Sequence, residues 1–298
     1  MAESTKRYAV VTGSYRGVGL GIVKLLASEE ITVVLTSRDE KRGLETMEKL
    51  KEEYSTLSQN IVFHQLDVTD PASIASLADF IKSKFGKLDI LVNNAFCSGG
   101  KVIGNPIPDP NTLPDAWYID SSKIIETHEL AEECIETNYY GAKRMVEALI
   151  PLLRLSDSPR IVNVSSIGGQ LQYMTNKWAL EIFRDIENLT EERVEDVLRE
   201  FLKDFENGVI EINGWPVRPS AAKISKAALN AYTRILANNY PTNFCINCVC
   251  PGPVKTDRSL HPVNRTIEEG AQGPVKLALL PNGGPSGLFF TEKGLSTF

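Results

Sequence analysis

The stretch VVTGSYRGVGLGIV, residues 10–23, decides the fold, because it joins an apolar run to a glycine-rich turn and the start of a helix. Its glycines allow a tight turn and let a pyrophosphate approach the N-terminal amides of the helix, whose dipole favours negative charge. This order of strand, turn and helix predicts a dinucleotide site. The residues expected to contact the dinucleotide here are Gly13, Ser14, Arg16, Gly17, Val18 and Gly19.

Beyond this stretch, short apolar runs alternate with amphipathic helical patterns along the chain. The runs rich in valine and isoleucine are YAVVT, ITVVLTS, IVFHQLD, LDILVNN, RIVNVSS and FCINCVC. Continuous apolar runs of this kind fit strands that are buried on both faces of a parallel sheet. We predict a single α/β domain over residues 1–298, with a Rossmann-like, doubly wound parallel sheet and right-handed crossovers.

Two segments interrupt the alternation. Residues 97–121 are rich in glycine and proline and predict a long loop, whereas residues 167–217, after the fifth predicted strand, carry the helical pattern TEERVEDVLREFLKDFENG. Both segments follow the C-terminal ends of strands, where ligands bind in open α/β sheets. Long insertions in compact domains tend to be functional, so we expect both to cover a substrate site.

Composition limits the possible partners and the compartment. The chain is 42% hydrophobic and 23% charged with a net charge of −6, so its charge gives no reason to expect nucleic acid or an anionic membrane. No run approaches the roughly 18 apolar residues needed to cross a bilayer. The N-terminal apolar run is too short for a signal peptide. We therefore expect a cytoplasmic protein.

The cysteines do not predict a metal site. Of the five cysteines, three fall in CINCVC, and the sequence offers no second ligand cluster that would complete a tetrahedral sphere. The three histidines are scattered. We expect reduced, buried cysteines and no bound metal, which agrees with a reducing compartment.

The choice of nucleotide is predicted from the end of the second run. An NAD site would place an acidic residue there for the ribose hydroxyls. This chain instead has Ser37, Arg38 and Arg42, with Arg16 in the glycine turn. Guanidinium groups suit a ribose 2′-phosphate, so NADP(H) is the predicted cofactor. The alternative is that Arg38 and Arg42 only decorate a solvated helix start, although cations there oppose the helix dipole.

With these motifs in place, the chain resembles the short-chain dehydrogenases/reductases along nearly its whole length. TGSYRGVG resembles the family's cofactor turn, LDVTD its adenine contact, LVNNA its ribose contact and CPGPVKTD the loop beside the nicotinamide. The resemblance implies that the cofactor is also bound by Asp67, Val68, Asn93, Pro251, Gly252, Val254, Thr256 and Lys226.

The insertion at 167–217, with FGKLDILVNNA and SKAALNAYTR, narrows the resemblance to plant carbonyl-reductase-like enzymes. That group includes menthone, salutaridine and isopiperitenone reductases. In it, the insertion is taken to cover the helix pair through which other family members dimerise. The resemblance therefore implies a monomer that acts on a small ketone or enone of the terpenoid type.

The resemblance also implies a catalytic set, which this chain matches only in part. In the family, a tyrosine four residues before a lysine is the acid–base group, and the lysine holds the nicotinamide ribose. A serine positions the substrate oxygen, and an asparagine maintains a relay water. Asn138, Ser166 and Lys226 match this set, but Ala222 stands in place of the tyrosine. Phe96 replaces a family glycine, so its ring should press on cofactor or substrate space.

The missing tyrosine leaves three hypotheses open. Loss of a positioned general acid costs about 10²–10⁴ in rate, which should cripple ordinary ketone reduction. Hydride addition to an enone instead forms an enolate that Ser166 can stabilise, and isopiperitenone reductase, a double-bond reductase, also lacks the tyrosine and carries a glutamate. The first hypothesis is therefore an NADPH-dependent enone reductase. The others are a ketone reductase whose tyrosine was deliberately replaced at position 222, and a redox-inactive NADP(H)-binding protein such as a cyclase or isomerase.

Overall fold

The computed structural model describes residues 6–104, 121–256 and 265–298. Within these ranges, the strands form one eight-stranded sheet and one two-stranded ribbon. The strands of the large sheet are β1 Tyr8–Val11, β2 Thr32–Ser37, β3 Ile61–Gln65, β4 Ile90–Asn93, β7 Arg160–Val164, β8 Cys245–Val249, β9 Phe289–Thr291 and β10 Gly294–Ser296. The ribbon consists of β5 Lys101–Val102 and β6 Ile124–Ile125.

The six predicted runs form the parallel part of the sheet, in the order β3-β2-β1-β4-β7-β8. The prediction of a doubly wound parallel sheet is confirmed for these strands. The direction of winding reverses between β1 and β4, and the crevice at such a reversal is where open α/β sheets bind ligands. The glycine turn after β1 opens at this crevice.

One edge of the sheet differs from the all-parallel prediction. Strand β9 pairs with β8 in parallel, but β10 pairs with β9 in the antiparallel direction. Each of these two strands has only three residues. Such a short strand carries too few residues for an apolar run or an alternation to stand out, so the sheet is mixed at this edge.

Helices cover both faces of the sheet. They are α1 Gly17–Ser28, α2 Glu40–Glu53, α3 Ser55–Ser58, α4 Pro71–Phe85, α5 His128–Ile135, α6 Gly141–Leu153, α7 Lys177–Arg184, α8 Glu191–Glu206, α9 Ser220–Asn239 and α10 Ile267–Ala278. One apolar core lies under α1, α2 and α10, and a larger core lies under α4, α6 and α9. A single domain built around one twisted sheet follows from this layering.

Helix α4 shows how local sequence sets an element's ends. The Asp70 carboxylate accepts a hydrogen bond from the Ala72 amide at 2.9 Å, and Pro71 occupies the first helical position. The helix ends at Gly86, whose φ of 76° is left-handed. Aspartate at the N-cap, proline at the first position and glycine after the last turn are the expected punctuation, and the predicted bounds are confirmed.

The predicted insertion after β7 contains α7 and α8. Helix α8 packs against α5 and α9. The Lys143 ammonium on α6 also lies 2.8 Å from Glu191 and 2.6 Å from Glu195 on α8, with the lysine side chain 18% exposed. The insertion is therefore tied to the helical layer on one face of the sheet. In the other insertion, β5 pairs with β6, and residues 105–120 of the predicted loop lie outside the described residues.

The three cysteines of the CINCVC motif are buried in or beside β8. Cys245 and Cys248 are each 2% exposed and Cys250 is 3% exposed. None of the chain's five cysteines is in a disulfide. The expectation of reduced, buried strand cysteines is confirmed. In the described part of the chain, no helix combines the length and hydropathy needed to span a membrane.

Candidate active site

The glycine turn after β1 forms a cradle that side chains would fill. Gly13 and Gly17 have φ values of 59° and 58°, which only glycine adopts readily. A Cβ on Gly19 would lie 2.8 Å from the Ser14 Cα atom, and this distance is shorter than real Cβ contacts. The cradle therefore requires all three glycines that the sequence singled out.

Side chains from neighbouring strands hold this turn in place. The Asn94 amide donates to the carbonyls of Thr12 and Gly13 at 2.9 and 3.2 Å. The buried Ser14 hydroxyl donates to the Val11 carbonyl at 2.7 Å, so it faces the protein interior. Asn94 belongs to the LVNNA motif, which the sequence analysis identified only through the family resemblance. The bonds from Asn94 to the turn could not be predicted from the sequence.

Helix α1 starts beside the cradle with Arg16 as an extended N-cap, and within the described structure no side chain caps it. Its first turn also carries no acidic residue. The first amides of a helix have no partner inside the helix, and the dipole there favours an anion. A cradle without Cβ atoms that faces an uncapped, acid-free helix start fits a dinucleotide pyrophosphate.

Two of the predicted arginines contact Tyr15, a residue that was not predicted to take part in the site. The Arg16 guanidinium lies 5.2 Å from the Tyr15 ring centroid. A hydrogen bond with Tyr15 raises the pKa of Arg42, whose side chain is 59% exposed and also lies 3.3 Å from Asp39. The ring thus brings the two predicted arginines together, although they are separated by 26 positions. The only sequence signal for this contact is the presence of an aromatic residue, Tyr15, within the glycine turn.

The other two predicted residues at this end behave differently. The Arg38 side chain is 71% exposed and its guanidinium lies 3.8 Å from the Glu133 carboxylate, so it can turn toward a ligand. The Ser37 hydroxyl is wholly buried and donates to the Asp39 carbonyl at 2.7 Å. Ser37 therefore shapes the turn after β2, and the arginines are the groups available to a phosphate.

Further predicted cofactor residues border the same crevice. The Asp67 carboxylate accepts bonds from the amide and the hydroxyl of Thr69 at 2.9 and 2.7 Å, and Val68 beside it is 7% exposed. Asn93, at the end of β4, donates to Asn163 Oδ1 at 2.9 Å. Both contacts fix the strand ends that line the crevice.

The loop after β8 returns to the glycine turn. It begins at Pro251 and Gly252, where a φ of 80° turns the chain. A Cβ on Gly17 would lie 3.6 Å from the Thr256 methyl group, and Val254 forms a bridge with Arg265. The predicted loop therefore lies beside the glycine turn.

Lys226 lies on α9 with its ammonium buried against the sheet. The residue is 4% exposed, and its Nζ donates to the Val164 carbonyl, at the end of β7, at 2.7 Å. Burial lowers the pKa of Lys226 to about 8. The Phe96 ring centroid lies 5.2 Å from the same ammonium. The lysine is thus held at the C-terminal edge of the sheet, beneath an aromatic ring.

Ser166 begins a turn that packs directly on α9. Its Oγ accepts a hydrogen bond from the Gly168 amide at 3.1 Å, which leaves the hydroxyl proton to donate elsewhere. Asn230 of α9 accepts a bond from the Ser165 hydroxyl at 2.6 Å and donates to the Gly169 carbonyl at 3.2 Å. These bonds fasten the Ser166 turn to the helix that carries Lys226.

We predict that Gly169→Ala separates the Ser166 turn from α9, whereas Gly168→Ala is tolerated. A Cβ on Gly169 would lie 2.7 Å from the Lys226 carbonyl carbon, but one on Gly168 would meet only side-chain atoms at 3.5 Å. The first variant should lose about 1–3 kcal/mol of stability, as overpacked sites do. Urea unfolding of both variants measures this, and equal stabilities would contradict the close packing.

Asn138 lies in a π-helical turn, Glu136–Tyr140, between α5 and α6. Its side chain accepts a bond from the Cys97 amide at 2.8 Å and donates to the Cys97 carbonyl at 2.9 Å. Asn138 and Lys226 also border an enclosed cavity of about 10 Å³, about the volume needed to hold one water. The side chain therefore fixes the segment after Phe96, while the cavity offers room for a water beside the lysine.

Ala222 lies one turn before Lys226, and its half-buried methyl group packs on the larger core. A methyl group neither donates nor accepts a proton. The structure thus brings Ser166, Lys226 and Ala222 to one end of α9, where a hydroxyl donor and a buried cation are present. Across the described ranges, no group of three or more His, Cys, Asp or Glu side chains could hold a metal ion.

We predict that Lys226→Met removes a pH dependence of stability. Because the pKa of Lys226 is about 8 when folded against an ordinary 10.5, unfolding takes up a proton between these two pH values. This lysine therefore makes the free energy of unfolding rise with pH in that window, by up to about 3 kcal/mol. Urea unfolding of both proteins from pH 8 to 10.5 measures the difference in stability between them, and a difference that does not change with pH would contradict the lowered pKa of Lys226.

The fold and the glycine turn together define the class of protein. An open α/β sheet with a dinucleotide-type turn after its first strand is a Rossmann-like fold. A family model described as short chain dehydrogenase matches residues 7–184. The chain therefore belongs to the short-chain dehydrogenase family of oxidoreductases.

Relatives from plants match the chain over its whole length. The (+)-neomenthol dehydrogenase of Arabidopsis thaliana is 55% identical, and the (−)-isopiperitenone reductase of Mentha piperita is 49% identical, each over 100% of both chains. The solved structure of salutaridine reductase from Papaver somniferum has a TM-score of 0.86 at 50% identity, covering 95% of this chain and 99% of that chain. More distant relatives include rodent carbonyl reductases whose name specifies NADPH, at 34% and 35% identity.

Proposed function

We propose that the protein is an NADPH-dependent reductase of the carbon–carbon double bond in a small, apolar α,β-unsaturated ketone of the terpenoid type. One observation carries this proposal: Lys226 and Ser166 are held together at one end of α9, while the position one turn before the lysine carries only the methyl group of Ala222. The similarity to (−)-isopiperitenone reductase supports the same substrate class.

The proposed reaction converts an enone, NADPH and a proton into the saturated ketone and NADP⁺. NADPH, when bound, supplies the hydride that forms the new C–H bond at the β-carbon. The π electrons of the double bond then move to the carbonyl oxygen, and the resulting enolate takes a proton from water at its α-carbon. No side chain of the protein has to deliver a proton to the carbonyl oxygen.

Ser166 and Lys226 supply what the enolate needs. The Ser166 hydroxyl already accepts a bond from Gly168, so its proton points to an acceptor such as the substrate oxygen. Preorganised donors of this kind stabilise developing negative charge strongly in a site shielded from water. Below pH 8 the buried ammonium of Lys226 adds a positive field. An alkoxide is far more basic than an enolate and would still lack its proton donor.

The proposed cofactor is NADP(H). Arg16 and Arg42 gather around Tyr15 beside the glycine turn, and Arg38 is exposed at the end of β2. Guanidinium groups pair well with the ribose 2′-phosphate that distinguishes NADP(H) from NAD(H). The similarity to carbonyl reductases whose name specifies NADPH supports the same choice.

The insertion of residues 167–217 is proposed to cover the substrate. It continues directly from the Ser166 turn, so its first residues start at the site. Tyr173 is 42% exposed and Trp178 is 43% exposed, whereas Leu171 and Met174 beside them are buried. Exposed aromatic side chains next to a catalytic turn suit an apolar substrate.

The same insertion supports a monomer. Helix α8 lies over α5 and α9, and its ion pairs with Lys143 hold it on the face where dimerisation of other family members is implied. Burial by itself lowers the pKa of Lys143, but the hydrogen bonds and charges of Glu191 and Glu195 together raise it, so the lysine remains charged in this network. We propose a monomeric, cytoplasmic enzyme, and its unpaired cysteines agree with a reducing compartment.

Carbonyl reduction is the second candidate function. The similarity to (+)-neomenthol dehydrogenase favours it, because that name specifies oxidation of an alcohol and hence the reverse reduction of a ketone. It requires a proton donor other than the residue at position 222.

The two functions are separated by measuring NADPH oxidation with matched panels of saturated cyclic ketones and their α,β-unsaturated counterparts, with products identified by mass spectrometry. The proposal predicts turnover of the enones alone, with the carbonyl group retained. Turnover of both panels to alcohols would favour carbonyl reduction. Tight NADPH binding without turnover of either panel would overturn both and leave a redox-inactive protein.

A further inference from the structure

The Phe96 ring covers the ammonium of Lys226. The ring centroid lies 5.2 Å from Nζ, which is within cation–π range. Lys226 as a whole is 4% exposed, but Phe96 is 44% exposed. The side chain that contacts this buried cation is therefore itself partly open to solvent.

The backbone on both sides of Phe96 is fixed. Before it, the Ala95 amide donates to the Thr12 hydroxyl at 2.9 Å. After it, Cys97 exchanges two hydrogen bonds with the Asn138 side chain, at 2.8 and 2.9 Å. The segment cannot swing away without breaking these bonds.

Further along the chain, Gly99 is packed tightly as well. A Cβ on this glycine would lie 3.0 Å from the Cβ atoms of Ala221 and of Cys134. Because the backbone is held, the ring can clear the lysine only by rotation about its own side-chain bonds, which takes picoseconds to nanoseconds for exposed residues.

A hydroxyl that bonds to Lys226 must place its oxygen about 2.8 Å from Nζ. A ring centred 5.2 Å from the same atom occupies part of the space around Nζ that such a hydroxyl would need. The family resemblance assigns the nicotinamide ribose to this lysine, and the glycine at the family's equivalent of position 96 would leave the approach open. In this chain an aromatic side chain stands at that position.

We propose that Phe96 is a side-chain gate on Lys226, which must rotate away before the ribose on the nicotinamide side can bond to the lysine. The gate lowers affinity for the nicotinamide half of the cofactor and leaves the adenine half unaffected. This inference rests on the proposed NADP(H) cofactor. Loss of one cation–π contact on opening corresponds to about a tenfold change in affinity.

Calorimetric titration with two probes tests the gate without relying on turnover. Adenosine 2′,5′-bisphosphate reports the adenine half alone, and NADP⁺ reports the whole cofactor. For Phe96→Ala we expect about tenfold tighter NADP⁺ binding and unchanged affinity for the bisphosphate. Phe96→Leu, which keeps most of the bulk, should bind NADP⁺ more weakly than Phe96→Ala.

Tyr54→Ala provides the matched control, because Tyr54 is 42% exposed and its ring lies 4.2 Å from the Lys24 ammonium, outside the site. It should leave both affinities unchanged. Unchanged or weaker NADP⁺ binding by Phe96→Ala, with the bisphosphate still bound, would overturn the gate. If the wild-type protein bound neither probe, the NADP(H) proposal itself would fail, so the two failures are distinguishable.

Discussion

Ala222→Tyr is expected to raise the rate of saturated-ketone reduction by about 10²–10⁴, the usual contribution of a positioned general acid. The new hydroxyl would extend from α9 one turn before Lys226, whose buried ammonium favours a lowered pKa for a neighbouring phenol. Ser166 is already fastened to the same helix by the Asn230 bonds. The substitution therefore supplies the one catalytic group of the family set that this chain lacks at position 222. NADPH oxidation with saturated cyclic ketones measures the gain.

Ala222→Phe is the matched control, because it adds the same ring without the hydroxyl. It should show no gain with saturated ketones. Phe96 lies over the same lysine, so the double variant Ala222→Tyr with Phe96→Gly tests whether the two rings compete for space. If Ala222→Tyr bound NADPH but gained no ketone reduction in either background, the missing tyrosine would not be what separates this site from a ketone reductase.

The double variant Arg38→Ala/Arg42→Ala is expected to weaken NADPH binding by about 10²-fold, because each arginine loses a charge-assisted hydrogen bond to the 2′-phosphate. The effect should shrink at high salt, since both side chains are exposed and screened. NADH has no 2′-phosphate, so its affinity should change little. Fluorescence titration with NADPH and NADH, at low and high salt, measures both affinities.

Arg193→Ala provides the control for the loss of a surface arginine. Arg193 pairs with Asp185 at 2.7 Å in the insertion. The insertion packs on the larger core, whereas α1, which follows the glycine turn, packs on the other core. The Arg193→Ala variant should therefore leave both affinities unchanged. Equal weakening of NADPH and NADH binding in the Arg38/Arg42 variant would contradict a 2′-phosphate site. Unchanged NADPH binding would mean that these arginines only decorate the start of α2.

The parallel core was predictable because its physical signal is local. Strands buried on both faces must be continuously apolar, so β1 to β4, β7 and β8 stand out in the sequence. Helix α4 was equally clear, since Asp70 and Gly86 each act on the nearest turn. The three-residue strand β9 forms by pairing with β8, and β10 forms by pairing with β9. No local sequence pattern predicts these pairings.

The candidate site also combines features that the sequence predicts with features that it does not predict. The glycine turn was predictable because its residues are close together in the chain, whereas Lys226 was predicted only through the family resemblance. The contact between Phe96 and Lys226 joins residues 130 positions apart, and the cluster at Tyr15 depends on how α2 returns to the glycine turn. Side-chain direction was also beyond the sequence: Ser37 turns inward to Asp39, and Asn138 fastens the Cys97 backbone.

The most direct test of the central claim is to follow a deuterium label from NADPH, deuterated at both C4 positions, into the product of an α,β-unsaturated cyclic ketone. Mass spectrometry and NMR then locate the deuterium. The proposal predicts a saturated ketone with one deuterium at the β-carbon and an unlabelled α-carbon. Deuterium on a carbinol carbon, with the double bond intact, would contradict it and establish carbonyl reduction without a tyrosine at position 222.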